Sequence, residues 1–200
     1  MENQFTALQQ QRRTIYALGK DVKPTNAELV TLIEDAIKNA PSAFNNQTTR
    51  AVILFNQYHD QLWDMTADRL KSEVPTEAAY QKTVEKLNGF KAAYGTILYF
   101  TDTDVVKQNE ADFPLYAANF ADWAEQAQGN AQYSVWMSLA ENKLGANLQH
   151  YNPLIDAKVA AAFDIPANWK LRAQMPFGSI EAGAGDKDFM ADADRFKIFE

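Results

Sequence analysis

Two arginines and a threonine follow one another near the start of the chain, in the segment Arg12-Arg13-Thr14. A guanidinium group is planar and can donate two hydrogen bonds to one phosphate, and the threonine adds a hydroxyl donor. Residues 11–23 also hold Lys20 and Lys23 against the single acid Asp21. The chain as a whole carries a net charge of −7, so this local basic patch suits a small anion better than a polyanion. A solvated basic turn is the alternative interpretation.

A second unusual segment runs from Pro41 to Gln47 and reads Pro-Ser-Ala-Phe-Asn-Asn-Gln. Proline fixes the chain direction, and serine and asparagine side chains bond to the backbone to hold a turn. Such a turn can present backbone N–H groups to the edge of a flat heterocycle. Together with the arginine segment, it indicates a bound flavin mononucleotide (FMN), which has a phosphate at one end and a heterocycle at the other. A plain helix-to-strand connection is the alternative.

Other kinds of site find little support in the residues. The chain has no cysteine, which excludes disulfides, thiolate zinc sites and cysteine nucleophiles. Its two histidines have no carboxylates at matching spacing, so we predict no metal site. His150 could act as a general base, although a structural role or a place in a pocket wall are alternatives. His59 lies in a polar stretch, and we expect it to be exposed.

Length and composition predict one globular domain over residues 1–200. Apolar residues make up 46% of the chain and aromatic residues 12%. No apolar run approaches the roughly 20 residues that a membrane-spanning helix needs. The first residues lack the basic flank and apolar stretch of a secretory signal. We therefore expect a cytoplasmic protein that binds neither membrane nor, given its acidic charge, nucleic acid.

Helical spacing of apolar residues alternates with short β-prone runs along the chain. A capping box at Thr25-Asn26-Ala27-Glu28 marks one helix start, and Pro41 limits its end. An aromatic stripe from Phe113 to Trp123 indicates either a central core helix or a subunit interface. The predicted helices are 3–11, 26–39, 58–72, 76–92, a long element over 113–144 and one from about 152 to 163; the predicted strands are 51–55, 95–100, 169–178 and 195–199.

Few strands, far apart in sequence and surrounded by helices, predict an α+β sandwich with a central sheet. The last predicted strand, Arg195-Phe196-Lys197-Ile198-Phe199, alternates at period two. Because an exposed strand edge invites pairing, this tail needs a neighbour within the chain or on a second subunit.

Several of these segments, in their order and spacing, resemble the FMN-dependent nitroreductase family. The resemblance rests on Arg12-Arg13-Thr14-Ile15-Tyr16-Ala17-Leu18, Ser42-Ala43-Phe44-Asn45, Tyr94-Gly95-Thr96 and Leu148-Gln149-His150-Tyr151-Asn152-Pro153. Within the family, the chain looks most like the fungal fatty-acid-repression-mutant proteins and the bacterial copper-induced nitroreductases. Many relatives carry Pro-Trp after the glutamine of the second segment, where this chain has Thr48-Thr49-Arg50.

The resemblance implies a set of FMN-binding residues. It assigns Arg12, Arg13 and Thr14 to the phosphate, ribityl chain and pyrimidine edge, with Tyr16 beside them. Segment 145–153 would pass the flavin ring near N5, where a backbone N–H can stabilise charge. Arg195 matches a phosphate-binding arginine of the family, and Lys187 and Asn88 are further candidates. The complete predicted set is Arg12, Arg13, Thr14, Tyr16, Pro41, Ser42, Ala43, Asn45, Asn88, Leu148, Gln149, His150, Lys187 and Arg195.

The resemblance also implies an assembly and a reaction. A three-layer sandwich with a mainly antiparallel sheet would form a two-fold homodimer. In it the loop over Pro41–Gln47, here called the Pro41 loop, reaches the partner's flavin, and the C-terminal strand either pairs within its own chain or is exchanged with the partner subunit. NAD(P)H would reduce the flavin at N5, and a nitroaromatic or quinone would reoxidise it in a ping-pong cycle. No side chain is then needed as a catalytic acid or base. A non-enzymatic flavin-binding protein of the same fold and a helical interaction protein without cofactor are the alternatives.

Overall fold

An antiparallel sheet forms the centre of the protein in the computed structural model, which describes residues 3–200. Four strands lie in the order β1-β5-β3-β2, and β4 pairs with β5 outside this order. The longest pairings join β3 to β2 and to β5. The strands are β1 Leu18–Gly19, β2 Thr49–Phe55, β3 Gly95–Asp102, β4 Gly145–Ala146 and β5 Trp169–Ile180.

Eight α-helices connect and cover these strands in the described part of the chain. Two 3-10 turns, over Ala43–Asn45 and Pro114–Asn119, precede β2 and the longest helix respectively. The helices are α1 Gln4–Gln11, α2 Asn26–Lys38, α3 Asn56–Leu70, α4 Glu77–Lys91, α5 Thr103–Asp112, α6 Phe120–Glu141, α7 Asp156–Phe163 and α8 Asp192–Arg195. None of them, within residues 3–200, is both long and apolar enough to cross a bilayer.

The sheet separates two hydrophobic layers, as the alternation along β3 shows. Every residue of β3 is buried. Ile97 and Tyr99 pack in one cluster with α2 and α6, whereas Leu98 and Phe100 pack in the other with α3, α4 and α7. Side chains of successive strand residues point to opposite faces, so a strand covered on both faces reads as a continuous apolar run. This arrangement confirms the predicted α+β three-layer sandwich.

The helix over 26–39 is confirmed as α2, and its start follows the predicted capping chemistry. The Thr25 backbone N–H donates to Glu28 Oε2 at 2.7 Å, and the Glu28 N–H donates to Thr25 Oγ1 at 3.3 Å. Asn39 ends the helix two residues before Pro41. Local residues alone therefore fix both ends of this element.

Two differences concern the region between β3 and β4. Helix α5 was not predicted, and it begins where the Asp102 carboxylate accepts hydrogen bonds from the N–H groups of Asp104 and Val105. The long helix begins at Phe120 and not at Phe113, since Pro114 opens a 3-10 turn. Gly129 and Asn130 lie within α6 and do not interrupt it.

Two predictions near the C-terminus are wrong in position or type. The helix expected from Asn152-Pro153 begins only at Asp156. The predicted strand over 195–199 is absent, because Arg195 ends the short helix α8 and the following residues form no regular structure. Ile198 is 80% exposed and Phe199 92% exposed, and no strand within residues 3–200 pairs with this apolar tail.

His59, which we expected to be exposed, is fully buried on the inner face of α3. Its Nε2 lies 3.1 Å from the carbonyl oxygen of Lys91, and its Nδ1 lies 2.9 Å from Thr96 Oγ1. A carbonyl can only accept, so Nε2 carries the proton and Nδ1 accepts from the Thr96 hydroxyl. The same hydroxyl oxygen accepts from Trp63 Nε1 at 3.1 Å. The prediction was wrong because the neighbours of His59 in the sequence are polar, although its own side chain faces the core.

Candidate functional site

The arginine segment leaves the end of α1 and lies along the start of β4. The Arg12 N–H caps α1 by donating to the Leu8 carbonyl at 2.8 Å. Thr14 then forms a parallel bridge with Ala146, and the Ile15 N–H donates to the Ala146 carbonyl at 2.9 Å. These backbone bonds hold the segment in one position, from which the Arg12 guanidinium stacks 4.7 Å from the centre of the Trp136 ring.

A cavity of about 510 Å³ opens beside this segment. Arg12, Arg13 and Lys187 line it together with the single acid Asp186. Arg13 Nη2 donates to the Gly185 carbonyl at 2.7 Å, which attaches the loop over residues 183–187 to the arginine segment. Three cations against one carboxylate, with guanidinium N–H groups to spare, fit the donor set that a phosphate needs. The structure thus brings the predicted residues Arg12, Arg13 and Lys187 to one place.

The Pro41 loop is held in a tight turn by its own polar groups. Ser42 Oγ accepts from the Gln47 N–H at 3.0 Å, and the Ser42 carbonyl accepts from the Asn45 N–H at 3.0 Å. Phe44, Asn45 and Gln47 all have positive φ, at 55°, 51° and 49°. Each such non-glycine residue costs conformational energy, and strain of this kind is found preferentially at functional sites.

Phe44, which is not among the predicted FMN-binding residues, joins the Pro41 loop to the aromatic stripe. Its ring centre lies 4.7 Å from that of Phe113 and 5.9 Å from that of Trp123. The stripe also contributes Phe120, whose side chain is fully buried. Residues 113–123 therefore serve as packing for the loop, and Phe44 itself remains half exposed.

The arginine segment and the Pro41 loop line separate cavities in this chain. The loop contributes Pro41, Ser42 and Gln47 to a smaller cavity of about 130 Å³. Both segments contact α6, since Asn130 Nδ2 donates to the Pro41 carbonyl at 3.0 Å and Trp136 packs on Arg12. Six residues on a helix correspond to about 9 Å along its axis and about 120° around it. The two segments consequently lie on different faces of α6.

The segment after β4 is held to β5 by alternate residues. The N–H groups of Asn147, Gln149 and Tyr151 donate to β5, at 3.2 Å to the Pro176 carbonyl, 2.7 Å to the Gln174 carbonyl and 2.8 Å to Gln174 Oε1 respectively. Gln149 also accepts from the Gln174 N–H through its carbonyl, at 2.9 Å. Both backbone groups of Gln149 are thus used by the sheet, which argues against its backbone as a flavin contact.

Leu148 and His150 occupy the intervening positions. N–H groups of an extended chain point alternately to its two sides, so theirs face away from β5. Among the described residues, neither N–H has a backbone partner. His150 is exposed, and Leu148 is half-buried against the core. Among the three predicted ring contacts, Leu148 and His150 therefore keep a backbone N–H donor available, whereas Gln149 does not.

Gly145 explains how the arginine segment can lie so close to β4. A Cβ atom at this position would stand 2.9 Å from Ile15 Cβ and 2.9 Å from Leu18 Cδ2. Such a distance is too short for two carbon atoms, so only glycine permits the close approach. This glycine directly follows the long element predicted over 113–144, and nothing in the sequence indicated its contact with Ile15.

Several predicted residues do not gather at the large cavity. Tyr16 is 61% exposed, Asn88 is exposed on the last turns of α4, and Arg195 is exposed at the end of α8. Ala43 and Asn45 lie in the Pro41 loop. Their roles, like those of the residues lining the cavity, stay predictions.

Comparisons with known proteins agree with this architecture. The model of the nitroreductase family matches residues 10–179. The nitroreductase FRM2 of Saccharomyces cerevisiae is 36% identical over 182 residues, which is 90% of this chain and 89% of that protein. The structure of the nitroreductase CinD from Lactococcus lactis, in complex with nicotinic acid, is 50% identical and has a TM-score of 0.91. That match covers 98% of this chain and 100% of CinD.

Other matched structures carry ligands as well. CinD is also known in complex with chloramphenicol and with 4-nitrophenol. A nitroreductase from Desulfovibrio desulfuricans in complex with FMN covers 100% of both chains with a TM-score of 0.71, and at 22% identity it shows a shared fold. On the family match over residues 10–179 and the 36% identity to FRM2, this chain belongs to the nitroreductase family and is an oxidoreductase.

Proposed function

We propose that this protein binds FMN and uses it to pass electrons from NAD(P)H to nitroaromatics or quinones. The observation that carries the proposal is the cavity in which Arg12, Arg13 and Lys187 converge, within a chain of the nitroreductase family. Two guanidinium forks and one ammonium group match the charge and the oxygen geometry of a phosphate monoester.

The residues of the chain would bind and orient the cofactor. Arg12 and Arg13 would hold the phosphate, the Thr14 hydroxyl would bond to a polar group of the cofactor, and a backbone N–H of Leu148 or His150 would face the ring. FMN, when bound, supplies hydride acceptance and donation at N5, so the protein needs no catalytic acid or base of its own. A fixed N–H dipole aimed at the ring is the kind of group that stabilises developing charge there.

The same pocket would receive reductant and acceptor in turn, which gives a ping-pong cycle. The CinD complexes with nicotinic acid and 4-nitrophenol support flat aromatic ligands as the class that such a site accepts. Nicotinic acid shares its ring with the reactive part of NAD(P)H, whereas 4-nitrophenol carries the nitro group of the proposed acceptors. Both observations concern CinD, and they favour the same ligand classes for this chain.

We also propose a two-fold homodimer with FMN at the subunit boundary. The separation of the Pro41 loop from the arginine segment within one chain supports this arrangement, because the loop can then serve the partner's site. The exposed tail supports it too: strand β2 forms the edge of the sheet and could accept the tail of a second subunit. The flavin contacts predicted for the loop depend on this assembly, and they involve Pro41, Ser42, Ala43 and Asn45.

Visible spectroscopy of the purified protein tests the proposal. We expect a yellow protein whose absorbance near the flavin band disappears when NADH or NADPH is added without oxygen and returns when a quinone is added. A yellow protein that neither nicotinamide bleaches would indicate a non-enzymatic flavin protein. A colourless protein that does not take up added FMN would contradict the proposal and favour an interaction protein.

A further inference from the structure

We propose that Asn147 is a positioning residue that fixes the flavin-facing backbone relative to the phosphate-binding arginines. The inference rests on the proposed function, and it adds a residue that the predicted site does not contain. Asn147 is fully buried and follows β4 directly. The next residue, Leu148, keeps a backbone N–H available for the flavin ring.

The side chain of Asn147 joins two segments that are far apart in sequence. Its Nδ2 donates to the Ile15 carbonyl at 2.8 Å, two residues after Arg13. Its Oδ1 accepts from Gln149 Nε2 at 2.8 Å, on the other side of Leu148. The amide of Asn147, the residue before Leu148, therefore bonds both to the arginine segment and to Gln149, the residue after Leu148.

The backbone of Asn147 adds the third segment. Its N–H donates to the Pro176 carbonyl of β5 at 3.2 Å. The position of Leu148 is consequently determined by Asn147 and Gln149, each of which is bonded to β5 and to the other. Any movement of the arginine segment relative to Leu148 must break the bond to Ile15 or tilt this amide.

The chemistry of the site selects asparagine in particular. Ile15 offers a carbonyl, which needs a donor, while Gln149 Nε2 needs an acceptor. A short amide side chain supplies both in a fixed plane, whereas a carboxylate has no donor and a leucine has neither group. A buried polar network of this kind holds its members rigidly when every partner is present.

Asn147→Leu tests the inference, with Gln128→Met as the matched control. Gln128 is likewise a buried amide, and its Nε2 donates to the Phe100 carbonyl at 2.7 Å and to Thr101 Oγ1 at 3.1 Å. Both bonds go from α6 to β3, and neither goes to the arginine segment or to residues 147–151. Each apoprotein is titrated with FMN, and the reduction potential is measured at saturating FMN. We expect Asn147→Leu to weaken FMN binding at least about tenfold and to shift the potential, since one strong polar contact corresponds to about that factor.

Gln128→Met should lower the unfolding midpoint about as much as Asn147→Leu does. Its FMN affinity should stay within about twofold of wild type and its reduction potential should not shift, because this polar contact supports only the fold. A milder variant, Gln149→Met, removes only the bond to Asn147 Oδ1, and we expect a smaller shift of the potential in the same direction. It keeps the inference testable if Asn147→Leu does not fold.

Three results would overturn the inference. First, a folded Asn147→Leu protein with unchanged FMN affinity and unchanged potential would limit the amide to a structural role. If Asn147→Leu does not fold, an unchanged potential in Gln149→Met would have the same meaning. Equal losses in Gln128→Met would mean that general destabilisation causes the effect. Wild-type protein that binds no FMN would remove the proposed function as well, so that failure is distinguishable from the other two.

Discussion

Arg12 combines two contacts that make it sensitive to substitution. Its guanidinium stacks on Trp136, and the residue also lines the large cavity. Stacking removes rotational freedom from the side chain before any ligand arrives, so less entropy is lost when it binds a phosphate. A lysine at this position would keep the charge and lose the fork.

We predict that Arg12→Ala weakens FMN binding roughly ten- to a hundredfold, because hydrogen bonds to charged groups contribute about 1.5–3 kcal/mol each. FMN titration followed by flavin fluorescence measures the change. The control is Arg69→Ala, which removes an arginine of α3 that pairs with Glu73 just after the helix. This variant should bind FMN normally. Full retention of FMN by Arg12→Ala would remove Arg12 from the site.

His59 gives the stability of the protein a pH dependence. Burial lowers the pKa of His59 below its usual value, although the Lys91 carbonyl and nearby Asp60 act in the opposite direction. The unfolded chain therefore takes up a proton on this histidine more readily than the folded protein does. The contribution of neutral His59 to stability is complete above a pH of about 6.5 and is lost as the pH falls through the folded-state pKa.

We predict that the free energy of unfolding falls between about pH 7 and pH 5, and that His59→Gln reduces this fall. Urea titration of the apoprotein at several pH values measures it. A slope that is identical in His59→Gln and wild type would contradict this interpretation of the buried network.

Among the elements, α2 and α5 show what local sequence can and cannot predict. The start of α2 depends on Thr25 and Glu28, three residues apart, so the sequence alone predicted it. Helix α5 has one buried residue, Val106, and no clear apolar stripe. Its start depends on Asp102, which is held by distant partners, and no local pattern indicated it.

The same distinction separates the parts of the site. Arg12, Arg13 and Thr14 are adjacent in sequence, so their shared chemistry was visible at once. Asn147 contacts Ile15 across 132 positions of the chain, and a buried asparagine has no sequence signature of its own. The residues that present charge were predictable, whereas those that hold the backbone in place became visible only in the folded structure.

Asp102 supports both the end of β3 and the start of α5. Its carboxylate accepts from Asn168 Nδ2 and from two N–H groups of α5, and it pairs with Arg50 at 2.9 Å. Burial by itself raises the pKa of Asp102, but these hydrogen bonds and the Arg50 charge bring it below its usual value. The stability that Asp102 contributes is therefore present at neutral pH and is lost as the pH falls through the folded-state pKa.

We predict that Asp102→Ala lowers the free energy of unfolding by about 2–4 kcal/mol, through loss of the cap and of the partner of Arg50. Chemical denaturation at pH 7 measures the loss. Asp104→Ala removes an exposed carboxylate from the same helix start and should cost less than about 1 kcal/mol. Equal losses in the two variants would mean that Asp102 acts only through the general charge of the helix terminus.

At the scale of the whole molecule, the exposed tail is the feature that one chain does not explain. Phe196 is 57% exposed and Ile198 is 80% exposed, whereas the core of the same chain buries aromatic and aliphatic residues completely. Burying an apolar side chain of this size contributes about 1.5–3 kcal/mol, so leaving both in water forgoes a large stabilisation. A second subunit that covers them would recover it, and the edge strand β2 offers backbone groups to pair with.

We predict that the double substitution Phe196→Asp and Ile198→Asp converts the proposed dimer into a monomer at micromolar concentration and also lowers FMN affinity. In an extended tail these two side chains share one face, so both would leave the interface together. Lys197→Asp, on the opposite face, is the control and should preserve the dimer. Sedimentation velocity gives the assembly, and flavin absorbance gives the FMN bound. Because the Pro41 loop would serve the partner's cofactor, loss of the dimer must also release FMN; a monomer that retains its flavin would contradict a site shared between two subunits.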